Sequence, residues 1–385
     1  ISDRARHQSG RDGVYPYVGG RRFEKKIDFD MRCVGLLFSG LATAFIGTCI
    51  AGCSEARDEW PTTELVADSV VVSQIIKPEG WAVTGDHCVV QSVDTDTIFY
   101  VYSLPDFRFR YCAVTSGEGP QEMNGSNVEI LPGSRGEDTL SVVDWLRKKL
   151  WTFAVGTDSM RRTEEVNLDF SVFDPICALP GRKAVCLGWK MKDDDTNGLE
   201  LADYGTGEKM DSLTLRTWRK TVQGDHFTIQ TVVNMVNCAL AGEVLGILYE
   251  YTGRVEFYDL SGGRFALQRA LGDERSREQL RQMDFDGQEM GTIYGPMVSD
   301  GAYFYALESE YRTADGDGGG EPEFFREKKL LSSAVRVFDR KGRPVKRYML
   351  DRPVDGICAY KGALYAYDSR QDFEQVYVFA MEQAE

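Results

Sequence analysis

One short pattern recurs six times along the 385 residues: FYVYSLPDF from Phe99, LWTFAVGTD from Leu150, LELADYGTG from Leu199, VEFYDLSGG from Val255, VRVFDRKGR from Val335 and VYVFAM from Val376. Each alternates apolar with other residues and most run into a turn, the signature of a strand entering a hairpin. The fourth position is Tyr102, Phe153, Ala202, Tyr258, Phe338 and Phe379, aromatic in five of the six. A repeated aromatic on one side of a strand implies a stack of similar sheets. Upstream of most copies lies a second pattern of strand, turn glycine and strand: WAVTGDHCVV, ICALPGRKAVCL, VNCALAGEVLGI, GPMVSDGAYFYA and GICAYKGALYAY. Counting four back from Gly85, Gly181, Gly242, Gly301 and Gly362 lands on Trp81, Cys177, Cys238, Met297 and Cys358, which read as core residues at one repeated place.

A third strand follows each aromatic one, in RYCAVTS, RRTEEVNL, KMDSLTL, RFALQRAL and VKRYML. The full unit is thus about four strands at roughly 50-residue spacing. That is the blade of a β-propeller, and six blades fit the count. The last unit lacks its outer strand, whereas ADSVVVSQII (Ala67 to Ile76) is a spare strand ahead of the first. Pairing the two closes the ring and removes a long open edge. The fold expected is therefore all-β, a six-bladed propeller over residues 66–385 closed by an N-terminal strand on the last blade. A β-sandwich is the competing fold, but it requires no three-element unit at this spacing. Two polar inserts, Gly272 to Gly291 and Tyr311 to Lys329, stretch the fifth unit and read as projecting loops, the first with room for a short helix.

Ahead of the repeats, Val34 to Gly52 carries no charge and Arg32 precedes it, the geometry of a signal peptide. It ends Ile50-Ala51-Gly52-Cys53, small residues before a cysteine. This resembles a bacterial lipobox, in which the cysteine is lipidated and becomes the first mature residue, with two or more chains giving stable anchoring. An uncleaved transmembrane anchor is the alternative, nineteen residues being about enough to span a bilayer. The chain is thus divided into 1–30, upstream sequence ahead of a start at Met31, 31–52 as signal peptide, and 53–65 as an acidic tether. Acidic residues just after the lipid cysteine resemble a surface-export signal, so an outer-membrane or cell-surface location is expected.

Removing residues 1–52 leaves 37 basic against 55 acidic residues, a net charge of about −18. Such a surface repels nucleic acid and anionic head groups, so neither is expected as a partner beyond the lipid on Cys53. Besides Cys53 the mature chain holds six cysteines without a CxxC pair, and only two histidines, His87 and His226, so no zinc-type cluster is expected. Cys177, Cys238 and Cys358, at the repeated place, read as small buried thiols of the core rather than as disulfide or metal sites.

With a lipobox at Cys53, six propeller-like units and SGEGPQEM at Ser116 to Met123, the chain resembles the TolB-like six-bladed propeller lipoproteins of certain Gram-negative bacteria, many of unassigned function. SGEGPQEM is similar to the G-x-GP-x-E stretch such proteins carry between blades, here Gly117, Gly119, Pro120 and Glu122. Ala202 in place of an aromatic and the long fifth unit depart from that pattern, which bears on the limits of blades three and five. Physically, Gly117 and Gly119 open backbone angles closed to other residues and Pro120 fixes its own, which suits a sharp blade crossing. Glu118 and Glu122 are candidates to face the channel or a cation, against a plain blade-linking turn.

Calcium-dependent propeller lactonases line their channel with carboxylates and an asparagine. Candidates for such a role here are Glu122, Asp144, Asn234, Asn237 and Glu308. DDDTNG (Asp193 to Gly198) and DGDGGGEPE (Asp315 to Glu323) invite calcium but miss the EF-hand spacing. Arg147 to Lys149 reads as a short basic turn, with Trp145 and Trp151 as blade packing. No nucleophile elbow, phosphate loop or HExxH occurs. No cofactor is assigned, calcium being the one candidate. The function expected is a lipid-anchored envelope module that binds or scaffolds a protein, peptide or glycan, with a metal-assisted hydrolase or lyase as the alternative.

Overall fold

The computed structural model describes residues 60–74, 76–92, 96–123, 125–133, 138–168, 175–189, 196–223, 228–282, 290–313, 328–370 and 373–382. Cys53, the signal and tether segments up to residue 59, and the Asp315 to Glu323 stretch lie outside them, as do parts of the Asp193 to Gly198, Gly272 to Gly291 and Tyr311 to Lys329 segments.

Two strands, β1 (Thr62–Leu65) and β2 (Ala67–Val71), precede the first blade. Blade 1 is β3 (Pro78–Thr84), β4 (His87–Ser92), β5 (Thr97–Ser103) and β6 (Arg108–Thr115); blade 2 is β7 (Val128–Leu131), β8 (Thr139–Asp144), β9 (Lys149–Val155) and β10 (Met160–Asn167). Blade 3 is β11 (Pro175–Leu179), β12 (Lys183–Trp189), β13 (Thr196–Asp203) and β14 (Glu208–Gln223), with a fifth strand β15 (Thr228–Val233). Blade 4 is β16 (Val236–Ala241), β17 (Val244–Tyr249), β18 (Val255–Asp259) and β19 (Ala266–Leu271), followed by the short helix α1 (Arg277–Arg281). Blade 5 is β20 (Met290–Ser299), β21 (Tyr303–Thr313), β22 (Lys328–Asp339) and β23 (Pro344–Leu350); blade 6 is β24 (Gly356–Tyr360), β25 (Ala363–Tyr367) and β26 (Gln375–Ala380).

The expected closure is present: β2 pairs antiparallel with β26, from Ala67 opposite Phe379 to Val71 opposite Gln375. The innermost strands β3, β7, β11, β16, β20 and β24 touch in sequence and close the inner ring. One boundary moves. β1, placed in the tether by the sequence, adds to blade 5 as a strand parallel to β23, and Trp60 packs edge-on against Phe338 at 5.0 Å. The folded body therefore starts before residue 66, because those residues bury apolar surface on a blade.

Six apolar clusters fill the seams between adjacent blades, and the repeated aromatic position supplies one residue to each. Tyr102 lies in the seam between blades 6 and 1, Phe153 between 1 and 2, Ala202 between 2 and 3, Tyr258 between 3 and 4, Phe338 between 4 and 5, and Phe379 between 5 and 6. All six are buried. A buried aromatic of this size contributes about 1.5–3 kcal/mol relative to exposure, so the repeat is a repeat of seam filling.

The residues four before each turn glycine do not share one place. Trp81, Cys238 and Met297 face the preceding blade, whereas Cys177 and Cys358 face the following one. The two-residue turns explain it: glycine is first in Gly85-Asp86 and Gly242-Glu243 but second in Lys361-Gly362. A one-residue offset on a strand reverses the face. Blade 3 turns through three residues, 180–182, with Gly181 in the middle, to the same effect.

Candidate functional site

An antiparallel four-strand blade sends its first-to-second and third-to-fourth connections to one face of the ring, and the rest to the other. The first set spans 85–86, 104–107, 132–138, 156–159, 180–182, 204–207, 242–243, 260–265, 300–302, 340–343 and 361–362. The second set includes 116–127, 168–174, 190–195, 272–289, 314–327 and 368–374. The described ends of both polar inserts, the Gly-Pro stretch and α1 therefore lie on a single face, the loop face, while the described connections of the opposite one are mostly tight turns. β14 also outruns its blade on the loop face and pairs with β15 from Trp218 opposite Val233 to Gln223 opposite Thr228, making a β-hairpin arm.

The Gly-Pro stretch is a blade-linking loop, folded around its own carboxylate. The Gly119 N–H donates to Glu122 Oε2 at 2.7 Å, Gly117 N–H donates to the Met123 carbonyl, and Met123 is fully buried. Gly117 and Gly119 are needed for space rather than for unusual dihedrals: a Cβ at Gly117 would sit 2.1 Å from Glu122 Oε2, and one at Gly119 2.9 Å. Glu118 and Pro120 are exposed. The loop is locked by a residue the sequence reading passed over as part of a basic turn. Arg147, between β8 and β9, donates through Nη2 to the Gly117 carbonyl at 3.0 Å and through Nη1 to the Gly119 carbonyl at 3.1 Å and to the Glu122 carbonyl. No local spacing signals this, because the partners are about thirty residues apart.

Asp144, with no exposed surface, caps that turn by accepting the Arg147 backbone N–H at 2.9 Å, and its Oδ2 lies 3.8 Å from Arg147 Nε. The other candidates stand on other blades. Asn234, buried and at φ +56°, donates to the Arg216 carbonyl and accepts from the Tyr251 N–H, tying the arm's base to blade 4. Asn237 donates to the Tyr294 carbonyl at 3.3 Å. Glu308 pairs with Arg347 at 3.0 Å, beside Arg336, whose guanidinium lies 4.7 Å over the Tyr294 ring and is held down in basicity by burial. Each is committed to packing, and among the described residues no three His, Cys, Asp or Glu side chains gather as for a metal. The calcium-lined channel thus finds no assembled donor set in these residues.

A second arginine device anchors the insert after blade 4. Glu256, buried in β18, accepts from Arg254 Nε at 2.6 Å and from the Tyr258 hydroxyl at 2.8 Å, with Arg216 Nε at 3.5 Å. Burial, with Glu256 close by, pushes the Tyr249 and Tyr258 hydroxyls well up in pKa. Arg254 and Arg216 then reach outward to the carbonyls of Asp273 and Arg275. Beyond them α1 opens with a capping box on Ser276 and Gln279, and buried Leu280 packs on Trp218 at the foot of the arm. Near the axis, Asp355 accepts the Ser369 N–H at 2.8 Å and buried Asp368 pairs with Arg370 at 2.7 Å. The loop face therefore carries the arm and α1 beside blades 3 and 4, fixed at their roots by buried Arg254 and half-buried Arg216.

No protein-family model matches the chain, and no curated protein matches it either. Among solved structures, the chain is similar to a member of the DUF4221 family from Bacteroides vulgatus ATCC 8482, at 9% identity over 82% of this chain and 98% of that one with a TM-score of 0.46. It is similar to a proposed exported protein from Bacteroides fragilis NCTC 9343, at 9% identity over 84% and 99% with a TM-score of 0.47. BamB from Moraxella catarrhalis matches at 10% identity over 83% and 98%, with a TM-score of 0.33. The six-bladed propeller is established by the chain's own sheets, and the TolB-like family in particular is not among these likenesses.

Proposed function

We propose that this protein is a lipid-anchored propeller of the cell envelope, held through Cys53, that uses its loop face to bind or scaffold a protein, peptide or glycan. The observation that carries the reading is the asymmetry of the ring: the described roots of the long connections, the arm and α1 all lie on one face, and two of them are fixed at the root by Arg147 and by Arg254 with Arg216. Fixed roots reduce the ordering cost of binding, and a broad polar rim with loops suits a macromolecule better than a small reactant. The lipobox at Cys53 and the acidic residues after it are what support an outer-membrane or cell-surface location within this reading.

The test is crosslinking of the lipidated protein in its own membrane, with mass spectrometry of what is attached and a Cys53→Ala form as control. An abundant partner crosslinked to loop-face residues, and lost in the control, is the expected outcome. Crosslinks spread evenly over both faces, or unchanged in the control, would sink the reading. Protease treatment of whole cells separates outward from inward display.

A further inference from the structure

The reversal of face at the turn glycines brings thiols together. Cys358 on β24 faces forward into the seam between blades 6 and 1, where Cys88 on β4 faces back, sharing a face with its cross-strand partner Val83. Cys177 on β11 faces forward into the seam between blades 3 and 4, where Cys238 on β16 faces back. Within each seam the facing thiol lies close enough to help hold the Cys358 and Cys177 thiols up in pKa. On a ring of six blades these two seams lie opposite one another. Cys112 is exposed on β6 and Cys186 belongs to the seam between blades 2 and 3, so neither joins a pair.

We propose that these pairs are disulfide sites, Cys88 with Cys358 and Cys177 with Cys238, so that oxidation staples the ring at two opposite seams. The oxidant is a small or protein disulfide acting by exchange. One cysteine thiolate attacks a sulfur of the donor disulfide, expelling a thiolate and forming a mixed disulfide. The second cysteine thiolate then displaces the donor's remaining sulfur. In sum two thiols lose two protons and two electrons, and the donor disulfide becomes two thiols. Each pair needs its facing sulfurs drawn to a bond of about 2.05 Å.

Timing follows from burial. Cys88, Cys177 and Cys358 are buried, and burial together with the neighbouring thiol holds Cys177 and Cys358 well above the usual thiol pKa. A folded ring thus shields three of the four thiols from the donor, Cys238 alone being half-buried, so each pair closes while the seams are still open during folding. The bond between Cys88 and Cys358 joins opposite ends of the propeller chain, beside the β2–β26 closure, and a crosslink over so long a loop restricts the unfolded chain most. An envelope location, as proposed above, supplies such a donor, but the pairing depends only on the fold.

The test uses the full chain carrying Cys33→Ala, Cys49→Ala and Cys53→Ala. It is unfolded and reduced in urea, refolded in mixed oxidised and reduced glutathione, alkylated under denaturing conditions and mapped by mass spectrometry. The expected result is that most molecules carry both bonds, with Cys112 and Cys186 alkylated, and that the urea midpoint lies above that of protein refolded in reductant. Cys88→Ala and Cys177→Ala forms each lose one bond and part of that shift. Four alkylated thiols, or a bond from Cys177 to Cys186, would overturn the proposal. Added glutathione disulfide should leave protein already folded and reduced unchanged over the same period; rapid bonding there would overturn the folding-time step.

Discussion

The two faces of the ring are held by different means. On the turn face the chain closes on itself: Asp203, Asp259, Asp300 and Asp339 each accept a backbone N–H two residues on, a local device that needs no other blade. On the loop face, arginines from distant positions grip the carbonyls of Gly117, Gly119, Glu122, Asp273 and Arg275. Local closure permits almost no insertion. Side-chain clamps fix only the root of a loop and leave its length free, which is why the inserts all fall on one side.

The largest expected effect tests how tightly the turn face is closed. Gly133, after β7, has φ +95°, and a Cβ there would lie 2.3 Å from the Ala178 carbonyl oxygen and 2.7 Å from Leu240 Cδ1. Backbone cannot step aside, so Gly133→Ala should cost roughly 3 to 5 kcal/mol from strain and overpacking together. Gly181→Ala, at φ +72° with open space around it, should cost only about 1 kcal/mol. Urea unfolding of the two variants measures the difference, and equal losses would show that crowding against the neighbouring blades adds nothing to the backbone strain at these turns.

Next comes the clamp. Arg147→Ala removes the donors to three carbonyls and takes the cation from beside buried Asp144. The expected loss is about 2 to 3 kcal/mol. Arg147→Lys should recover less than half of it, because an ammonium lacks the planar fork that reaches carbonyls in two directions. Faster hydrogen exchange confined to 116–123 would accompany both. Full recovery by lysine would reduce the clamp to a charge effect.

What was legible in the sequence follows the same division. Alternation and the aromatic at Tyr102, Phe153, Tyr258, Phe338 and Phe379 report seam filling, which recurs in every blade, so the ring and its closure could be read directly. The glycine spacing was misleading, since a turn glycine marks a turn but not its position within it, and one residue reverses a strand's face. Arg147, Arg254 and the β1 strand carried no signal, because each acts on residues far away in the chain. Gly117 and Glu122 were visible as a motif, yet their relation is a steric one that composition does not express.

A smaller effect separates the two kinds of glycine. In Gly117→Ala the new methyl meets only the end of the Glu122 side chain, 2.1 Å from Oε2. That carboxylate can swing out, at the cost of its bond from the Gly119 N–H, so the loss should be about 1 kcal/mol. Adding Glu122→Ala should make the Gly117→Ala change nearly neutral in a double-mutant cycle. Additive losses would show that the backbone, not the carboxylate, fixes this loop.

The smallest effect compares how carboxylates are held. On the loop face, Asp273 and Asp351 are kept below the usual carboxylate range chiefly by side-chain hydrogen bonds from Arg275 and Arg352. Asp259 on the turn face is kept low first by the Ser261 backbone N–H. For all three the folded pKa lies below the unfolded one, so the stabilisation is complete above about pH 4 and is lost as pH falls through the folded value. Salt screens an exposed ion pair far more than a backbone hydrogen bond. Raising the ionic strength to about 1 M should therefore move the Asp273 and Asp351 midpoints upward while Asp259 stays in place, as followed by carboxyl carbon shifts in NMR titrations. Equal movement of all three would mean that long-range charge on this acidic chain, rather than local partners, sets them on both faces.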